Sequence, residues 1–385
     1  MKACFLFLFI SMTVEARLYF LHIPKTGGTT LRLLLEQELS SDEIYPFRNS
    51  KSAKSPVQEE LVSGHFLYAF CKKLDPNFDQ AFKVTILRDP IERYLSFLRA
   101  KKKADESLPD LESVLKLRLI PNGKYHQGLI DNALCRQLAV NPHLRGQALL
   151  ESAKKTLHTL DCVIFFDHFE EEVIDLFARL GILKHRQDIP KLNTTEKEPV
   201  SIQILEEVKN WNALDIELYA YAKKHLGKKT GTYPLKTKSF HPQEKISEVE
   251  YTFDLPLTGR GWTYRDIAQH NVIHRWVMDQ PAYIYFSIEE GFDYDLFFNA
   301  KCLTEEVVPQ IRVNGKEIEI KKLDEEDFSL YLGKIPKEFL TNGPIELCFY
   351  SNKAFLYRDF YPTKYNRNHP LLSFALSKIR ISKAT

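Results

Sequence analysis

Residues 18–30 read LYFLHIPKTGGTT: an apolar run from Leu18 to Ile23, a turn with two adjacent glycines, then the opening of a helix-periodic stretch. A short uninterrupted apolar run bounded by turn chemistry reads as a buried strand. A glycine-containing turn from strand into helix exposes backbone N–H groups to an anion, and the helix dipole favours negative charge there. Pro24, Lys25, Thr26, Gly27, Gly28, Thr29 and Thr30 therefore form a candidate phosphate loop, with Lys25 as a point charge and the threonines as hydroxyl donors. A Walker A loop carries its lysine after the second glycine. Here Lys25 precedes both, so an ordinary P-loop nucleotide kinase or triphosphatase is the poorer fit. The plain alternative is a tight turn without a ligand.

Residues 87–96, LRDPIERYLS, repeat the pattern of strand, turn and helix, with Pro90 suited to the first helical turn. Arg88 at the strand end and Ser96 two turns into the helix suit one phosphate, held by a forked charge-assisted contact and a hydroxyl. Alone, an arginine at a strand end reads as a surface ion pair. Downstream of the first loop, it gives a second anion site able to grip the other end of one nucleotide.

Outward from these loops, β-rich runs alternate with helix-periodic segments from Leu18 to about Leu226. This predicts an α/β unit over 17–230, with a P-loop-like parallel sheet and flanking helices. Strands are expected at Leu18–Ile23, Val84–Leu87 and Cys162–Phe166. Helices are expected near Thr30–Leu39, Ile91–Lys103, Gly128–Ala139, Gln147–Leu157, His168–Leu180, Ser201–Asn210 and Ala213–Leu226. Residues 231–247, rich in Thr, Lys and Pro, read as a linker. Beyond it, strands near 248–255, 282–288, 294–300, 310–313, 317–320, 328–332 and 345–350, with the hairpin pair Asn314-Gly315, predict a C-terminal antiparallel β-sandwich over 248–385. Every proposed catalytic residue precedes the linker, so the sandwich is expected to be separable from catalysis.

The charge balance is close to neutral, 53 Lys+Arg against 51 Asp+Glu, so no global field marks a nucleic-acid binder, and any anion site is local. The six cysteines are scattered, with neither Cys-x-x-Cys nor zinc-ligand spacing, and read as reduced core thiols. Residues 1–16 resemble a short cleavable signal segment, too short to span a bilayer, or else translation begins at Met12 and leaves only a few residues before the first strand. The second reading is preferred here.

At its two loops the chain resembles the PAPS-dependent carbohydrate sulfotransferases, the family that includes heparan sulfate 2-O-sulfotransferase. PAPS is 3′-phosphoadenosine 5′-phosphosulfate, and PAP, the bisphosphate without the sulfuryl group, is the product. In the family a Pro-Lys-Thr-Gly-Gly-Thr loop binds the 5′-phosphosulfate, matching Pro24 to Thr29, and an Arg-Asp-Pro-x-x-Arg-x-x-Ser element binds the 3′-phosphate, matching Arg88 to Ser96. The likeness continues through Ser63-Gly64-His65, Asn132 to Leu138 and Asn212 to Tyr219, and covers about 17–226.

The resemblance implies in-line sulfuryl transfer from PAPS to a hydroxyl of a carbohydrate or glycoconjugate, without a metal. His65 is the implied general base, and Lys25 with the loop N–H groups would stabilise charge on the leaving phosphate. A lone histidine also reads as a hydrogen-bonded core residue. The family relative carries two histidines around this glycine, and Ser63 stands where the other would be, leaving His65 to act alone or with Glu59 or Glu60. Asn132 and Arg136, on one helical face, read as ligand contacts or as surface polarity, and Lys191, Asn193 and Thr195 as a loop bordering the site or a mere turn. Trp262 and Trp276 read as sugar platforms or packed core, in a sandwich that loosely resembles those appended to bacterial polysaccharide enzymes. A protein of this kind meets cytosolic donor in a bacterium, which places it in the cytoplasm, or imported donor in the Golgi of a eukaryote. No nucleic-acid partner is expected, and peripheral association with a membrane-bound glycan stays open. The remaining alternative is a catalytically inactive nucleotide- and glycan-binding protein.

Overall fold

The computed structural model describes residues 17–45, 57, 59–104, 110–111, 131–182, 189, 199–227, 231–234, 246–263, 265–268, 271–340, 343–356 and 371–384. Residues 1–16, Lys191, Asn193 and Thr195 lie outside that set.

Four parallel strands, β1 (Leu18–Leu21), β2 (Leu61–Gly64), β3 (Phe82–Leu87) and β4 (Cys162–Phe165), form a sheet in the order β2-β1-β3-β4. Around it lie α1 (Gly28–Gln37), α2 (Tyr68–Leu74), α3 (Pro90–Ala104), α4 (Ala133–Leu138), α5 (Gly146–Thr159), α6 (Phe169–Arg179), α7 (Ile202–Trp211) and α8 (Ala213–His225). Alternate side chains of β1 enter opposite cores. Leu18 and Phe20 pack with Leu31 and Leu35 of α1 and Val173 of α6, while Tyr19 and Leu21 pack with residues of α2, α4, α5 and α8. A sheet covered on both faces explains the unbroken apolar runs of its strands.

β2 and α2 are additions to the sequence expectation. Leu-Val-Ser-Gly is too short and mixed for a strand signal, yet it pairs with β1 from Leu18↔Leu61 to Leu21↔Gly64. Because β1 feeds β2 on one side while β3 lies on its other side, the order of the chain reverses between β1 and β3. Open α/β sheets bind ligands at the carboxyl ends of strands at such a switch point.

The C-terminal part is an antiparallel β-sandwich. β5 (Glu248–Thr252), β6 (Asp266–Ile267), β7 (Ile273–Met278), β9 (Tyr294–Cys302), β12 (Ile320–Lys322), β13 (Ser329–Ile335), β15 (Phe355–Leu356) and β16 (Leu371–Lys383) form one sheet; β8 (Ala282–Phe286), β10 (Pro309–Val313), β11 (Lys316–Ile318) and β14 (Ile345–Ser351) form the other. Phe286, Ile311, Leu347 and Phe349 of the smaller sheet meet Tyr251, Phe298, Ile379 and Ile381 of the larger in one core. The Asn314-Gly315 turn joins β10 to β11 with φ of 49° and 80°, as a type I′ hairpin requires. β16, which the sequence expectation did not separate out, pairs with β5, β7, β9 and β15. Trp262 is wholly buried, its Nε1 donating to the Tyr283 carbonyl at 2.8 Å, and Trp276 is 4% exposed. Both are core, so the sugar-platform reading of these tryptophans is withdrawn.

Residues 231–234, the start of the expected linker, are anchored. The Tyr233 N–H donates to the Arg179 carbonyl at 2.6 Å, Arg179 Nε donates to the Gly231 carbonyl at 2.8 Å, and Tyr233 stacks on Phe82. Cys71, Cys135, Cys162, Cys302 and Cys348 are free thiols. Among the described residues no helix is long and apolar enough to cross a membrane.

Candidate active site

The loop leaving β1 takes its shape from its neighbours. Lys25 has φ 70° and Gly27 φ 87°, two left-handed residues flanking the buried Thr26. Thr26 Oγ1 donates to the Ile23 carbonyl at 2.9 Å and closes the turn. A non-glycine residue held left-handed costs of order 1–3 kcal/mol, and turns of this kind line anion-binding concavities with N–H groups. Both glycines are demanded locally. A Cβ on Gly27 would lie 2.6 Å from the Phe166 ring, and one on Gly28 would lie 2.1 Å from the His22 ring.

β3 ends at Leu87, and Asp89 caps the next helix, its Oδ1 accepting from the N–H groups of Ile91 and Glu92 at 3.0 Å each. Arg88 is thereby aimed at the first loop: its Nη1 donates to the Lys25 carbonyl at 3.3 Å. Its guanidinium lies 4.6 Å over the Phe166 ring and pairs with Glu92 at 3.5 Å. Phe166, just after β4, thus touches both candidate loops, a role the sequence reading did not assign. Burial lowers the Arg88 pKa, Glu92 opposes that, and a like charge on Arg99 adds to it. Arg99 stands three residues beyond Ser96 on α3, and both are buried. At a spacing of three residues Ser96 and Arg99 share one face of α3. Arg99 was missed because it falls outside the quoted motif.

His65 follows β2 and is exposed. Its Nδ1 lies 2.9 Å from the His22 carbonyl. A carbonyl oxygen only accepts, so Nδ1 carries the proton and Nε2 is left with a lone pair. The His22 ring, 7% exposed, sits with its centroid 4.3 Å from that of His65. The second imidazole at this place therefore comes from the end of β1 and not from the position of Ser63, which is buried within β2. Glu59 and Glu60 precede β2, whereas His65 follows it. The Glu60 carbonyl accepts from Leu18 N–H at the amino end of β1, roughly 13 Å of strand away from the carboxyl end that carries His65.

The segment Asn132–Leu138 does something other than expected. Asn132 Oδ1 accepts from the N–H groups of Leu214 and Asp215 at the start of α8, at 3.0 and 3.2 Å. Asp215 returns the arrangement, accepting from Leu134 and Cys135 at the start of α4, at 2.9 and 2.8 Å. These reciprocal caps satisfy otherwise orphaned N–H groups of two helices. Burial raises the Asp215 pKa, while Arg93 and the two N–H donors draw it down. Arg136 donates to the carbonyls of Asp131 and Pro142. Asn132 and Arg136 are thus corrected to structural roles. Gln137 reaches the site instead, donating to the Phe66 carbonyl at 2.6 Å and toward that of His22 at 3.4 Å.

Comparison with known proteins bears on the family. A model of the sulfotransferase family matches residues 10–222. Heparan-sulfate 6-O-sulfotransferase 1-A of Danio rerio is 24% identical over 326 residues, 67% of this chain and 78% of that protein. Heparan-sulfate 6-O-sulfotransferase 2 of Homo sapiens is 26% identical over 265 residues, 53% of this chain and 43% of that protein. Where the sequence resemblance named the 2-O enzyme, these relatives are 6-O enzymes. Among solved structures, a sulfotransferase from Alicyclobacillus acidocaldarius is 17% identical, covering 55% of this chain and 96% of its own, with TM-score 0.32. A family 35 carbohydrate binding module from Clostridium thermocellum is 12% identical, covering 36% of this chain and 100% of its own, with TM-score 0.25.

Proposed function

The chain belongs to the sulfotransferase family, and from that premise we propose that it moves a sulfuryl group from PAPS to a hydroxyl of a carbohydrate by in-line displacement. The observation that carries this reading is the meeting of three groups at the carboxyl ends of β1, β2 and β3. The Lys25 carbonyl accepts from Arg88, and His65 hangs from the carbonyl of His22, which opens the same loop.

Bound PAPS supplies an activated sulfur whose bond to the bridging oxygen breaks as the acceptor oxygen attacks. The Pro24–Thr30 loop holds the 5′ end, with Lys25 and its N–H groups opposing the charge that develops on the leaving phosphate. Arg88, Ser96 and Arg99 hold the 3′-phosphate, and that anion relieves the repulsion between the two guanidiniums. His65 takes the acceptor proton on Nε2, the tautomer its Nδ1–H bond selects. The heparan-sulfate relatives make a glycosaminoglycan chain the first acceptor to try.

Calorimetric titration with PAP and with ATP tests the donor. PAP should bind and ATP should not. Incubation with PAPS and desulfated glycosaminoglycan, read by mass spectrometry, tests transfer. ATP binding in place of PAP would return the chain to the kinase reading, and PAP binding without transfer to any glycan would leave a binding protein.

A further inference from the structure

The residues that close α1 are polar yet buried. Residues 36–43 read EQELSSDE, and Glu36, Gln37, Glu38, Ser40 and Glu43 are only 4–7% exposed. Arg32 pairs with Glu36 at 2.5 Å, and Glu43 accepts from the Ser40 N–H at 2.6 Å. The β-sandwich bonds to the backbone of the same stretch. Leu257 N–H donates to the Gln37 carbonyl at 2.7 Å, Ser41 N–H donates to the Asp254 carbonyl at 2.8 Å, and Arg275 Nη2 donates toward the Glu36 carbonyl at 3.4 Å. Arg265 Nη2 donates to the Leu39 carbonyl and, at 2.8 Å, to that of Leu255; its Nε reaches Phe253 at 2.8 Å. Arg275 is wholly buried and also donates to Thr263 at 2.8 Å.

A helix leaves its last carbonyls without intrahelical partners, and its C-terminal dipole favours cations. Here the Glu36 and Gln37 carbonyls of α1 are satisfied by the sandwich, with two arginines at that end. The other end of the same ten-residue helix is the Gly27–Gly28 turn of the donor loop. A helix of that length is a rod of about 15 Å, so a shift at one end reaches the other.

We infer that Arg265 and Arg275 are positioning residues for donor binding, and that the β-sandwich is a coupled part of the donor site through α1. This rests on the reading of the Pro24–Thr30 loop as the PAPS site. It reverses the expectation, drawn from linker composition, that the sandwich is separable. Coupling between sites is reciprocal: bound PAP strengthens the seam as much as the seam strengthens PAP binding.

The test uses the full chain. Arg265→Ala and Arg275→Ala should weaken PAP binding, by calorimetry, roughly 5- to 150-fold. The KM for PAPS should rise with it, while kcat at saturating donor and the KM for the acceptor stay near wild type. Arg265→Lys and Arg275→Lys should recover part of the loss. Folded alanine variants that bind PAP within about twofold of wild type would overturn the inference. Should the alanine variants not fold, hydrogen exchange on the wild-type chain decides. Exchange of the Leu257 and Ser41 amides, which bridge the seam, should slow when PAP is added, and no change there would overturn the coupling. A wild-type chain that binds no PAP would instead remove the donor-site reading, and this inference with it.

Discussion

Arg88 is held from three sides, and that allows the effect of removing it to be divided. In Arg88→Ala the 3.3 Å bond to the Lys25 carbonyl is lost, a contribution of about 0.5–1.5 kcal/mol to the loop's geometry. The pair with Glu92, whose side chain is 39% exposed, contributes at most about 1 kcal/mol. Both losses act on any ligand that reads the loop. The direct charged hydrogen bond to a 3′-phosphate is worth about 1.5–3 kcal/mol, a factor of roughly 10 to 160 in affinity. It acts only on a ligand that carries that group. Calorimetric titration with PAP and with adenosine 5′-phosphosulfate, which lacks the 3′-phosphate, separates the two. The variant should lose affinity for PAP by at least about tenfold more than for the second ligand. Equal losses would refute Arg88 as the 3′-phosphate residue and leave it a support for the loop.

Lys25→Ala should damage both PAP affinity and turnover, whereas His65→Ala should keep PAP affinity and lose about 10²- to 10⁴-fold in single-turnover rate. Turnover of the wild type should fall on the acid side as imidazole protonates, since the base is active only when neutral, and that limb should vanish in His65→Ala; a full-rate variant with its limb intact would move the base elsewhere. Gly28→Ala puts a methyl 2.1 Å from the His22 ring, so overpacking of about 1–3 kcal/mol should lower turnover and melting temperature together, with partial relief from His22→Ala in the same chain. Wild-type behaviour of Gly28→Ala would show that the loop does not depend on this packing. Asp215→Ala uncaps α4 and leaves Arg93 buried beside it, and calorimetric unfolding should show a loss of about 3–5 kcal/mol against about 1 kcal/mol for Asn132→Ala; similar losses for both would remove the charge from that account.

The strand, turn and helix of each candidate loop were legible in the sequence because each is local. A strand, a turn and a helix in contiguous residues set backbone geometry and donor chemistry without help from distant chain, and the structure keeps both within a residue or two of the expected boundaries. The alternation of short strands and helices, followed by closely spaced strands, was likewise enough for the class of both units. Composition misled where burial was at issue. Asn132 with Arg136 read as ligand contacts or as surface polarity, and neither reading anticipates the reciprocal caps or the bonds to the carbonyls of Asp131 and Pro142.

What the tertiary structure decided is which residues meet. Phe166 joins both loops from 78 residues downstream of Arg88, His22 supplies the imidazole beside His65, and Gln137 ties the backbones of His22 and Phe66 together. Glu59 and Glu60, close to His65 in sequence, lie at the other end of the strand. Parallel pairing brings the carboxyl ends of β1, β2 and β3 to one edge, and the contacts there join side chains far apart in sequence. A buried polar group also takes its meaning from the partner that satisfies it. For the carbonyls of Glu36 in α1 and of Leu39 just beyond it that partner is in each case an arginine more than 220 residues away, whose place depends on the packing of both units and not on any local pattern.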